Sequence, residues 1–225
     1  MTLLIARGLA AGYGSMPVIQ DLDIEVCQGE VVALLGANGA GKTTTVLALS
    51  GELPLSAGKL QFDGTKSKAP LHRRAHAGMA TVMEGRSVFT GMSTEDNLRV
   101  AGVDTGRVLE LFPELVSGLS VRAGLLSGGE QQMLSLGRAL AGSPRLLLAD
   151  ELSLGLAPKI VTRLLKAVRE AADESRLGAL LVEQHARKAL RFSDRVYVMR
   201  RGRVVMSESA QDALNDLPGL EAAYL

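Results

Sequence analysis

Glu30-Val31-Val32-Ala33-Leu34-Leu35-Gly36-Ala37-Asn38-Gly39-Ala40-Gly41-Lys42-Thr43-Thr44 is the stretch that decides the fold. Its first six residues form a short apolar run closed by glycine, the pattern of a buried strand. Lys42 to Ser50 reads as a helix. Between them, Gly36 to Thr43 fits G-x-x-x-x-G-K-[ST], a loop that holds phosphate. Glycines let the backbone curl until its N–H groups converge on an anion, and the helix that follows aims its positive end at the same place. Lys42 supplies a point charge for the β- and γ-phosphates, and Thr43 offers a hydroxyl to Mg²⁺. The candidate nucleotide contacts are Gly36, Asn38, Gly39, Ala40, Gly41, Lys42, Thr43 and Thr44.

A phosphate loop of this kind needs a carboxylate at the end of a neighbouring strand. Leu146-Leu147-Leu148-Ala149-Asp150-Glu151 supplies two. Asp150 ends the apolar run and is the candidate metal holder, through water. Glu151, one residue on, is placed to polarise a water against the γ-phosphate, a form of assistance that contributes ~10²–10⁴ in rate. ATP and Mg²⁺ are therefore the expected ligands, and hydrolysis is expected as well as binding.

Outward from these motifs the chain reads as α/β. Leu22, Ile24 and Val26 alternate with Asp21, Asp23 and Glu25, which suits a strand with one wet face. From about 88 to 142 the pattern turns helical, over Asn97 to Val100, Arg107 to Phe112 and Gln131 to Ala141, with breaks near Pro113, Gly118 and Gly124. Pro158 opens a helix with Ile160, Val161, Leu164, Leu165 and Val168 on one face. Ala179 to Val182 is a third buried strand, and Arg195 to Met199 pairs with Val204 to Met206 around Arg200-Arg201-Gly202-Arg203. One domain over 1–225 is expected, with a nucleotide-binding core at 1–87 and 143–225 and a helical subdomain at approximately 88–142.

Composition narrows the partners. With 25 basic and 24 acidic residues there is no electrostatic footprint for nucleic acid. Cys27 stands alone, so no internal disulfide forms and a reduced compartment is the simplest setting. The first residues are interrupted too soon for a signal peptide, and no apolar run reaches the ~20 residues of a membrane span. If the protein serves a membrane, another chain crosses it.

Leu126-Ser127-Gly128-Gly129-Glu130-Gln131-Gln132 narrows the family. Physically it is a helix start, with Ser127 as N-cap and Glu130 as its capping-box partner. Together with the phosphate loop and the carboxylates, the string resembles the signature of ABC ATPases. That resemblance implies a P-loop NTPase (ABC ATPase) core with an N-terminal antiparallel β subdomain and a helical insertion. It also implies a head-to-tail dimer in which Ser127, Gly128 and Gly129 of one subunit close over nucleotide held by the other. Tyr13 matches the aromatic that stacks on adenine, and Ser153-Leu154-Gly155-Leu156 matches the loop that touches the partner.

Departures from the general pattern suggest a subgroup. Met83-Glu84-Gly85-Arg86 stands where most ABC ATPases carry a glutamine contacting Mg²⁺ and water, which makes Glu84 a candidate metal contact. With Glu95-Asp96-Asn97-Leu98 and Val182-Glu183-Gln184, it looks like the ATPases of branched-chain amino acid importers. Their usual proline is Leu152 here. The family's γ-phosphate histidine falls on Gln184 by alignment, with His185 one position later. Either Gln184 makes that contact by its amide or the loop shifts to bring His185 in.

The resemblance implies transmembrane permease subunits, a second ATPase subunit (the same chain or a sister) and, indirectly, a periplasmic or extracellular substrate-binding protein. It places the chain on the cytoplasmic face of the membrane. Soluble ABC ATPases acting on ribosomes or DNA usually carry two nucleotide domains or a long coiled-coil insertion, and 225 residues hold neither. A subunit that binds ATP but barely hydrolyses it is the remaining alternative. Glu84 and Gln184 favour it and an intact Glu151 opposes it.

Overall fold

The computed structural model describes residues 1–66, 68–85 and 87–224. In chain order the elements are β1 (Thr2–Tyr13), β2 (Met16–Cys27), β3 (Val31–Leu35), α1 (Lys42–Ser50), β4 (Ala57–Phe62), β5 (Thr65–Lys66), α2 (Leu71–His76) and β6 (Met79–Val82). Then come α3 (Thr94–Val100), α4 (Thr105–Leu111), two 3₁₀ turns (Pro113–Gly118 and Ala123–Leu125), α5 (Gly128–Ala141) and β7 (Leu146–Asp150). The chain closes with α6 (Pro158–Ser175), β8 (Gly178–Glu183), α7 (Ala186–Leu190), β9 (Arg195–Arg200), β10 (Arg203–Ser209), α8 (Ala210–Asn215) and α9 (Leu217–Tyr224).

Two sheets result. The first is antiparallel in the order β2-β1-β4-β5. The second runs β10-β9-β3-β8-β7-β6 and is parallel except for the β9–β10 hairpin at its edge. Every residue of β3, β7 and β8 is buried, as parallel strands covered on both faces must be.

The uniform apolar runs conceal a strict division of labour. Val32 and Leu34 of β3, Leu146 and Leu148 of β7, and Leu180 and Val182 of β8 pack towards the antiparallel sheet and α1. Leu147 and Ala149 of β7, with Ala179 and Leu181 of β8, pack on the opposite face against α5 and α6. Ala33 and Leu35 meet α7, α8 and α9. Residues two apart share a face because Cβ direction alternates along a strand.

The helical region joins this core directly. Leu98 of α3, Val108 of α4, and Phe112, Leu115, Leu134 and Leu136 are fully buried in the same cluster as Leu147 and Ala149. Gly137 of α5 lies where a Cβ would come within 2.7 Å of Val108 Cγ1, so α4 and α5 approach closely only because that residue is glycine.

The expected strands and helices are present with shifted ends. The 195–206 hairpin turns on two residues, not four: Arg201 and Gly202 both have positive φ, 48° and 79°, as a tight hairpin turn requires. β4, β5, β6, α2 and the three C-terminal helices add to the elements read from the sequence. Arg86 lies outside the described residues.

Candidate active site

The phosphate loop joins the end of β3 to α1 at the carboxyl edge of the parallel sheet, where ligands of open α/β sheets bind. Gly36 is required by space: a Cβ there would stand 2.4 Å from the Met199 carbonyl oxygen on β9. Gly41 precedes α1 with φ of 102°, a conformation that side chains rarely adopt. Ala40 is buried, and its carbonyl accepts from Gly202 N–H at 2.9 Å, which ties the loop to the β9–β10 turn.

Asn38, Gly39, Gly41, Lys42, Thr43 and Thr44 line a cleft of about 430 Å³ together with Glu84, Glu151 and Gln184. Val18 and Leu154 complete its wall. Lys42 is only 5% exposed, and its Nζ donates to the carbonyls of Gly36 at 2.9 Å and Ala37 at 3.1 Å. Burial draws the Lys42 pKa down, and the nearby Glu151 and Asp150 carboxylates offset part of that pull.

Asp150 ends β7 fully buried. Burial raises its pKa most, the Thr43 hydroxyl lowers it, and the Glu151 and Glu84 charges raise it further. Thr43 is thus near enough to act on the carboxylate, yet neither Asp150 oxygen forms a full hydrogen bond among the described residues. A buried carboxylate without such a partner is costly unless a cation supplies one. Thr43 and Asp150 form a set of hard oxygen donors, the kind Mg²⁺ takes.

Glu151 follows immediately, in the left-handed region at φ of 52°. Its N–H donates to the Val182 carbonyl at 2.9 Å, so the chain leaves β7 still tied to β8. Gln184, just past β8, donates from Nε2 to Glu151 Oε1 at 2.6 Å. Of the two residues left open in that turn, Gln184 lines the cleft, while His185 is exposed and precedes α7 outside the lining.

The remaining candidates stand apart. Tyr13, at the tip of the β1–β2 hairpin, is 55% exposed and outside the cleft wall, although Val18 of that hairpin reaches it. Ser127, Gly128 and Gly129 start α5, also outside the wall. The capping box read there is present: Ser127 Oγ accepts from Glu130 N–H at 3.3 Å, and Glu130 Oε2 accepts from Ser127 N–H at 2.8 Å. The helix start that the resemblance places over nucleotide is therefore not part of this chain's own cleft wall.

Residues 19–153 match the ABC transporter domain. The chain belongs to the ABC transporter family. This ABC ATPase is 40% identical, over 95% of each chain, to the high-affinity branched-chain amino acid transport ATP-binding protein BraG of Pseudomonas aeruginosa. It is 34% identical to the lipopolysaccharide export system ATP-binding protein LptB of Escherichia coli, over 96% of this chain and 94% of that one. A nucleotide-free ATP-binding cassette from an ABC transporter superimposes with a TM-score of 0.88, covering 100% of this chain and 99% of the other at 21% identity, which speaks to the fold alone. The protein is thus an ATP-binding, ATP-hydrolysing subunit of an ABC transporter. Among the described residues no helix is long and apolar enough to cross a membrane.

Sequence reading missed the importance of Glu183, the last residue of β8. It is 1% exposed, and Ser153 Oγ donates to its Oε2. Burial pushes its pKa from the ordinary 4.5 up to about 7, against the lowering effect of Ser153 and with help from the Glu151 and Asp150 charges. The only signal was a charge closing an apolar run.

A raised folded-state pKa means that the group contributes stability in full below 4.5 and loses it as pH rises through about 7. Glu183→Gln should remove this pH-dependent contribution. Thermal denaturation at pH 8 should then give a Tm about 5 °C above the parent, and the gap should shrink towards pH 5. A gap independent of pH would contradict the assignment.

Proposed function

We propose that the chain powers an importer of branched-chain amino acids or a related small polar or organic-acid substrate, from the cytoplasmic face of the membrane. Two ATPase subunits, identical or sister chains, pair head to tail with nucleotide between them. They act on transmembrane permease subunits, which receive substrate from a periplasmic or extracellular binding protein. The observation that carries the paired reading is the one-sided cleft. The phosphate loop and Glu151 line one cleft, and the Ser127–Gly129 helix start, with Ser127 exposed, is not among the residues that line it.

Within the pair each residue has a task. Loop N–H groups and Lys42 hold the β- and γ-phosphates, with Asn38, Gly39, Ala40, Gly41 and Thr44 shaping the cradle and Tyr13 facing the base. Thr43, Asp150 and Glu84 are the residues that would hold Mg²⁺, which supplies charge neutralisation at the phosphate oxygens when bound. Glu151 accepts the proton of the attacking water, and Gln184 holds the Glu151 carboxylate in place through its amide while reaching the γ-phosphate. A neutral amide in that role does not titrate, so no histidine-like step near neutral pH is expected from it. Residues 1–87 and 143–225 act as the nucleotide-binding core, and approximately 88–142 as the helical subdomain that carries the signature.

Import is favoured over export by the higher identity to BraG than to LptB and by the Glu84 and Gln184 departures. The test is to tag the chain in its host, extract membranes gently and identify what copurifies. Two multi-span permeases, a second ATPase and an associated amino-acid-binding protein are expected. Recovery of lipopolysaccharide-export components, or of ribosomes or DNA without permeases, would contradict the proposal.

A further inference from the structure

Glu183 has no task in the scheme above, yet it occupies an expensive position. An apolar residue at the end of β8 would bury there at less cost than a carboxylate, and Glu183 Oε1 has no hydrogen-bond partner among the described residues. What the carboxylate gains is the hydroxyl of Ser153, 30 positions away in sequence and itself 6% exposed. Ser153 lies in the segment that leaves the sheet immediately after Asp150 and Glu151. The bond therefore joins two loops. One begins with Glu151 and continues to Leu154, which is 47% exposed on the cleft wall, and to Gly155 at φ of 68°. The other begins with Gln184.

We propose that Glu183 and Ser153 are positioning residues for hydrolysis, a buried clamp that sets Glu151 and Gln184 in mutual register. The inference rests on the reading of Glu151 as the residue that activates water. Two constraints hold Glu151 besides its bond to Gln184: its N–H bond to the Val182 carbonyl, and the Leu154 N–H bond to its own carbonyl at 3.3 Å. Neither fixes the segment beyond Leu152 to the end of β8. The Ser153–Glu183 bond does, one residue before Gln184 and two after Glu151. Because Leu154 is the next residue and faces the cleft, displacement of this wall by a closing partner passes through Ser153 to Glu183, and from there to Gln184. The charged groups facing the clamp are Glu151 and Asp150, both from the end of β7.

The clamp predicts a specific kinetic signature in the full-length chain. Ser153→Ala and Glu183→Ala should each lower kcat for ATP hydrolysis by about tenfold or more, since small misplacements of reacting groups are costly. The affinity for a non-hydrolysable ATP analogue should stay within about twofold, because no contact to the phosphate loop is removed. The double variant should be no worse than the poorer single one, as residues acting as one unit are not additive. Ser153→Thr and Glu183→Gln, which keep the hydroxyl and an acceptor oxygen, should recover most of the loss. Should Glu183→Ala not fold, Ser153→Ala removes one oxygen from a loop and carries the test alone. A kcat within about twofold of the parent, or a parallel fall of kcat and analogue affinity, would overturn the proposal. Glu151→Gln assayed alongside separates the two levels. If it turns over normally, the reading of Glu151 fails. If it is inactive while the clamp variants are unimpaired, only the clamp falls.

Discussion

Glu151→Gln is expected to reduce steady-state ATP turnover by about 10²–10⁴-fold while leaving nucleotide affinity near that of the parent chain. The substitution removes proton-accepting capacity and little else. Gln184 Nε2 donates to Glu151 Oε1 at 2.6 Å, and a glutamine at 151 offers an amide oxygen in the same place. The N–H bond to the Val182 carbonyl belongs to the backbone and survives. The φ of 52° at this position is equally available to both residues. Loss of turnover with retained binding thus isolates the carboxylate, and single-turnover assays with analogue binding measure the two separately. Unchanged turnover would remove Glu151 from its role and revive the alternative of a subunit that binds ATP without hydrolysing it efficiently.

Lys42→Ala should act on the earlier step. The Lys42 ammonium is nearly sealed from solvent and folded back on the Gly36 and Ala37 carbonyls, so it both closes the loop and places its charge in the cleft. Deleting it removes two charge-assisted hydrogen bonds within the loop and the cation that faces Glu151 and Asp150. In the bound state the Lys42 ammonium would donate to the β- and γ-phosphates instead; each charged hydrogen bond of that kind is worth about 1.5–3 kcal/mol, so ATP affinity should fall by about 100-fold or more. Asp150 also loses the Lys42 charge, which lowers its pKa and so favours its ionised form. Equilibrium binding by fluorescence or calorimetry reads the effect. Tight ATP binding by a folded Lys42→Ala chain would undercut the phosphate-loop assignment.

Much of this site was legible because its motifs are local. The phosphate loop needs a strand, glycines and a helix in immediate succession, and all lie within residues 30–50. The capping box at Ser127 and Glu130 spans three residues, and the structure contains both of its bonds. Asp150 and Glu151 were marked by the apolar run before them. The buried strands were visible as runs, but their two-faced packing was not. A strand covered on both sides gives no alternation of polarity to read.

What escaped the sequence was short or non-local. β6 is four residues long and α7 five, too brief for periodicity to stand out. The choice between Gln184 and His185 as the residue lining the cleft depends on how β8 ends, which no local pattern states. Glu183 is marked in the sequence only as a charge that closes an apolar run, which does not state its burial. Only the return of Ser153 from the previous loop, 30 residues away, reveals it as buried.

The paired site is tested most directly by photo-crosslinking in native membranes. A photoreactive residue at Leu125, 78% exposed and two positions before Ser127, would be irradiated with MgATP and without nucleotide. The account predicts an ATP-dependent crosslink to the phosphate-loop region of a second ATPase chain, this one or a sister, identifiable by mass spectrometry. Crosslinks confined to the same chain, or independent of ATP, would contradict a nucleotide site completed by a partner.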